Sequence, residues 1–95
     1  MNEVLGLLGL AAKASKVVSG TEAVKEALEK NQVYLLFQAE EMNPNVLKSH
    51  LRYLENMTIC RDYTGEELSR AIGRQNRRIL AITDEGLANA LLKKL

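Results

Sequence analysis

Four arginines, Arg70, Arg74, Arg77 and Arg78, fall within nine positions of this sequence, with Gln75 and Asn76 among them. Guanidiniums neutralise phosphates and fork onto base edges, while the two amides offer both donors and acceptors, so the segment has the chemistry of a nucleic-acid contact. Composition alone leaves a solvated basic loop as the other reading. The remaining reactive side chains form no constellation. Cys60 lies in a strand pattern and His50 in a helical one, with nothing to bring a nucleophile to a base. They read as a small buried thiol and a partly exposed helix histidine. Glu40-Glu41 and Glu66-Glu67 occur where a strand ends or a helix begins, and the second pair suits a helix dipole better than acid-base chemistry. Neither glycine fingerprint for cradling nucleotide phosphates is present. A non-enzyme without a cofactor is expected, and one cysteine with one histidine cannot supply the ligands of a structural zinc site.

Leu, Ile, Val and Phe make up 27 of the 95 residues. That is above the level of about a fifth below which chains fail to bury enough to fold. The length allows one domain, spanning 1–95, with a single layered core that needs no disulfide or metal. A lone Cys60 points to the cytosol. Met1-Asn2-Glu3 has no basic segment, and the apolar run Val4 to Ala12 is too short for a bilayer, so neither an export signal nor a membrane span is expected. Net charge is only +1, so the signal lies in its distribution. Residues 20–42 balance to −3, whereas residues 64–83, which hold the four arginines, balance to +2.

The elements that must position these groups follow from periodicity. Val4, Leu5, Leu7, Leu8, Leu10, Ala11 and Ala14 recur at helical spacing, and Gly6 and Gly9 leave a flat patch for another backbone. An extended stretch at 16–19 precedes Ser19-Gly20-Thr21-Glu22, which reads as a capping box opening a second helix to about Lys30. Val33 to Phe37 is apolar without alternation, as in a strand covered on both faces. Asn43-Pro44 reads as a cap and first residue of a helix ending near Asn56. A strand over 57–61 follows, and Thr64-Gly65-Glu66-Glu67 is a second capping box. The helix it opens closes at Gly73 with positive φ. The arginine loop then feeds a strand at 78–82, and Thr83 or Asp84 caps a last helix to Leu95. Strands alternating with helices predict an α/β fold, a three-layer sandwich. Of four aromatics, Tyr34 and Phe37 lie in or beside the central strand, which disfavours base stacking on an aromatic platform.

Five pieces of the chain carry a resemblance. They are Leu7-Leu8-Gly9-Leu10-Ala11-Ala12-Lys13-Ala14-Ser15-Lys16, Ser19-Gly20-Thr21-Glu22, Leu35-Leu36-Phe37-Gln38-Ala39-Glu40, Glu67-Leu68-Ser69-Arg70-Ala71-Ile72-Gly73 and Ile79-Leu80-Ala81-Ile82-Thr83-Asp84-Glu85-Gly86. In order, spacing and coverage the chain resembles the kink-turn RNA-binding superfamily of ribosomal proteins L-seven-Ae and L-thirty-e, in particular its small bacterial YlxQ-like branch. The resemblance implies an α-β-α sandwich around a mixed four-stranded sheet, with the 16–19 stretch at an edge. It also implies that a glycine turn opens the second helix, whose first turn presents Asn and Glu to sheared G·A pairs and then a lysine to phosphate, while two further loops grip an extruded base. Here Gly20-Thr21 keeps the turn, but the Asn, Glu and Lys positions hold Glu22, Ala23 and Glu26, with Lys25 adjacent and Ser19 replacing a basic residue. Met42 and Val46 take the acidic and apolar positions of the first gripping loop, and residues 74–77 stand in for the second.

The resemblance therefore implies a ribosome-associated RNA-binding protein, with RNA and proteins of translation or transcription as partners. The substitutions in the second helix tell against standard kink-turn recognition. The expected RNA-binding residues are Lys13, Lys16, Ser19, Gly20, Thr21, Glu22, Lys25, Val46, Gly73, Arg74, Gln75, Asn76, Arg77 and Arg78. A protein-interaction module that kept the fold and lost its RNA contacts is the alternative, with Glu22 and Glu26 facing a basic partner.

Overall fold

The structure, a computed structural model, describes residues 2–95. Met1, part of the start expected to carry no export signal, lies outside them. In chain order the elements are α1 (Glu3–Lys13), β1 (Val17–Ser19), α2 (Thr21–Glu29), β2 (Leu35–Gln38), a 3-10 helix (Lys48–Tyr53), β3 (Ile59–Cys60), α3 (Gly65–Ile72), β4 (Ile79–Ile82) and α4 (Glu85–Leu92). The sheet order is β1-β4-β2-β3, with β4 antiparallel to both neighbours and β2 parallel to β3. The 16–19 stretch thus supplies an edge strand, as expected.

Every residue of β2 and β4 is buried because helices cover both faces of the sheet. Leu35, Phe37, Leu80 and Ile82 point to one side, where Val4 and Leu8 of α1, Leu68 of α3 and Leu91 of α4 close over them. Leu36, Ile79 and Ala81 alternate to the other side, against Val24 and Leu28 of α2 and Leu47. These two cores make the three layers. Of the two glycines expected to admit a backbone, Gly9 does so: a Cβ there would lie 2.9 Å from the Ala71 carbonyl oxygen of α3. Gly6 has nothing within 4 Å, so its smallness serves no contact.

The ends of the elements show where local chemistry decided the structure. Thr64 and Glu67 form the expected capping box, and Asp84 caps α4 through the Leu87 amide at 2.9 Å. Gly73 closes α3 at φ 72°, with Gly73 N–H donating to the Arg70 carbonyl and Arg74 N–H to that of Ser69. The helix expected from Asn43 to Asn56 is not formed. Asn43 instead uses its side chain in a local turn, accepting from the Asn45 amide at 2.8 Å, while its carbonyl accepts from the Gln38 side chain at 3.3 Å. A tight run of i to i+3 bonds follows, kinked at His50. Leu47 and His50, three apart, are the residues this segment buries.

Candidate nucleic-acid interface

The topology gathers three connections at one end of the sheet. β1 ends beside the start of β4, with the Gly20 amide donating to the Ile79 carbonyl at 3.0 Å. β2 ends beside it on the other side, with the Ala39 amide donating to the Arg78 carbonyl at 2.7 Å. The turn into α2, the segment after β2 and the loop from α3 to β4 therefore meet. Between them lies an open cleft of about 360 Å³ lined by Gly20, Thr21, Met42, Asn76, Arg78 and Ile79. A larger one, about 600 Å³, opens between α3 and the loop, with Arg74 to Arg78 and Glu41 on its walls.

The start of α2 differs from the expected capping box. Ser19 is held in the β1–β4 ladder opposite Leu80, so its hydroxyl does not cap, and Gly20 becomes the N-cap at φ 95° and ψ 151°. Only glycine adopts that conformation without strain. Among the described residues no side chain hydrogen-bonds into the first turn, so its amides and positive dipole end stay open. Glu22 is exposed there, and Lys25 is half-buried one turn on. Glu26 is held by Lys30, with Nζ and Oε1 2.9 Å apart; that hydrogen bond and charge lower the Glu26 carboxyl from its ordinary pKa and raise that of Lys30.

Arg74 and Arg78 are exposed, and among the described residues no ion pair takes up Arg74, Arg77 or Arg78. Arg70 is instead bound to Glu66 one helical turn away, at 2.6 Å. Arg77 is half-buried beside the helix start: its Nη1 lies 3.5 Å from where a Cβ on Gly20 would stand, and its Nε is buried without a partner. Gln75 and Asn76 are exposed, and Asn76 holds a left-handed φ of 57°, a conformation asparagine tolerates better than most residues.

The remaining expected residues divide. Lys13, in the last turn of α1, shares a third cleft of about 320 Å³ with Ser19, Gly73 and Arg74. Lys16 does not join them. It precedes β1 at the opposite end of the sheet, where its carbonyl accepts from the Thr83 amide at 2.9 Å. Val46 is half-buried and packs on the core beneath α2; Met42, not Val46, lines the cleft.

Sequence pattern gave two residues no role in this candidate interface, although it read Glu40-Glu41 as a pair at a strand end. Glu41 sets both carboxylate oxygens on the Gly65 amide, at 3.1 and 3.0 Å, placing a negative charge in the arginine cleft. Ser69, buried on α3, accepts from the Arg77 amide at 2.8 Å and donates to the Arg77 carbonyl at 2.9 Å. Their partners lie 24 and 8 positions away, beyond any local motif.

The other reactive groups are sequestered. His50 is buried, not partly exposed: the kinked 3-10 helix turns it inward, with Nε2 2.6 Å from Glu29 Oε2 and Nδ1 2.7 Å from Ser49 Oγ. Cys60 is buried, and burial pushes its thiol pKa up. Among the described residues no cluster of metal-ligating side chains occurs, and no helix is long and apolar enough to cross a membrane.

Comparison with known proteins matches residues 2–92 to the Ribosomal protein L7Ae/L30e/S12e/Gadd45 family. The chain is 33% identical over 93 residues to the RNA-binding protein YlxQ of Bacillus subtilis, covering 94% of this chain and 91% of that protein. Among solved structures it is similar to a protein of unknown function from Bacillus halodurans, with 27% identity, TM-score 0.88, and coverage of 98% and 96% of the two chains. A 15.5 kD RNA-binding protein of Giardia lamblia shares the fold at TM-score 0.78 and 14% identity, over 99% of this chain and 88% of that one.

Proposed function

The chain belongs to the Ribosomal protein L7Ae/L30e/S12e/Gadd45 family, and from that premise we propose that it is a non-enzymatic, cytoplasmic RNA-binding protein that docks structured RNA of the ribosome. The observation that carries this reading is the meeting of Gly20-Thr21, Met42, Asn76 and Arg78 around one cleft, beside arginines that, among the described residues, form no ion pair. Arg74 and Arg78 bind phosphate, and Gln75 and Asn76 reach base edges. Lys13 and Ser19 extend the same surface around the end of α3. The open first turn of α2 adds backbone N–H donors for a phosphate oxygen. Glu22 stands in that turn with charge like that of RNA, so recognition rests on the arginine loop rather than on the helix.

The alternative, a basic protein docking on the acidic side of α2, is weakened by the bond that Lys30 makes to Glu26. One experiment separates the two. Binding of a kink-turn RNA, a plain duplex and ribosomal RNA fragments is measured across a salt series for the parent chain and for Arg74→Ala with Arg78→Ala. We expect structured RNA to bind above the duplex, and the double variant to lose affinity roughly tenfold or more, with the log-log salt slope smaller by about two. Unchanged affinity and slope would reject this placement.

A further inference from the structure

Resting on the reading of the arginine loop as an RNA contact, we propose that Ser69 is a positioning residue that presets the loop for RNA without touching it. Gly73 and Arg74 are fixed by the end of α3, and from Arg78 onward the chain is fixed by β2 and β1. Between them, among the described residues, the two bonds from the Ser69 hydroxyl are the hydrogen bonds that tie residues 75–77 to the body of the protein. The segment has reason to drift: Asn76 holds a left-handed backbone, and the Arg77 Nε anchors to nothing. A hydroxyl meets this need because it donates and accepts at once, taking up both backbone groups of Arg77 from one buried point. A carboxylate at neutral pH would accept only, and alanine would leave both groups of Arg77 without that partner.

A loop held in its binding conformation before RNA arrives loses less entropy on binding. Removing the latch therefore lowers affinity while leaving every phosphate-binding cation in place. The test uses the full chain as Ser69→Ala, with Arg74→Ala as the contact control and Ala88→Gly in α4, which packs on α1 and β4, as the stability control. RNA affinity and its salt slope are measured together with amide hydrogen exchange. Ser69→Ala should bind about tenfold more weakly, with an unchanged salt slope and faster exchange at the Arg77 amide. Ala88→Gly should bind like the parent. If Ser69→Ala binds like the parent while Arg74→Ala is weakened, the latch is overturned and the RNA reading stands. A reduced slope in Ser69→Ala, or an equal loss in Ala88→Gly, also overturns it. If Arg74→Ala binds as well as the parent, the reading of the loop fails and takes the inference with it.

Discussion

The two ends of α2 are built on opposite terms. At its C-terminal end the charged groups and the closing turn find partners within the protein: Lys30 holds Glu26, Glu29 reaches the buried His50, and Asn31, at φ 56°, closes the helix with bonds to the Leu28 and Ala27 carbonyls from itself and Gln32. At its N-terminal end Gly20 caps without a side chain, the Arg77 Nε is buried unpaired, and Arg74 and Arg78 face solvent. A buried group without a partner costs stability, and that cost falls at the N-terminal end, where the arginine loop meets the helix. Charge alone would not have told the ends apart, since both carry acids and bases.

Changes at the C-terminal end of the helix should cost the most stability. His50→Ala removes a buried ring and leaves the Glu29 and Ser49 side chains without it. We expect a loss of about 2 to 4 kcal/mol in urea unfolding. RNA affinity should hold wherever the variant is folded; a parallel loss would mean that the ends are coupled. Gly20→Ala tests the open end. The added Cβ meets Arg77 Nη1 only at ordinary contact distance, so its cost is conformational, about 1 to 3 kcal/mol from the φ of 95°. Here stability and RNA affinity should fall together, and unchanged binding would remove the turn from the interface. A smaller effect concerns neither end. Burial raises the Cys60 pKa, so folding favours the neutral thiol. That contribution is fully present below about 9.0, the ordinary thiol value, and is lost as pH rises through the folded value. The urea midpoint should fall between pH 8 and pH 10, as judged from the usual range of thiol ionisation, with a smaller fall in Cys60→Ala. RNA affinity at neutral pH should be the same in both.

Much of this frame was legible in the sequence where one residue type has one physical role. Gly73, Asp84 and the Thr64 box mark helix ends by local bonds, and the apolar runs 35–37 and 79–82 mark strands covered on both sides. The failures came where a distant partner outbid a local motif. Ser19 has the spacing of a cap but is drawn into pairing with β4, and Asn43-Pro44 has the signature of a helix start but spends its side chain and carbonyl on a turn. The arginine loop was legible as chemistry, whereas Glu41 and Ser69, which shape its surroundings, were not, because nothing in their neighbourhood names Gly65 or Arg77 as partner.

The sheet order carries one more consequence, for how the chain is made. The strand that joins β1 to β2 is β4, the last strand to be synthesised. Until Ile79–Ile82 leaves the ribosome, only the short parallel pair of β2 and β3 can form, and the inner faces of α1 and α2 have no finished sheet to cover. Nascent chains that stop before residue 79 should therefore remain open to proteases, with protection arriving in one late step as the final strand slides into the middle of the sheet.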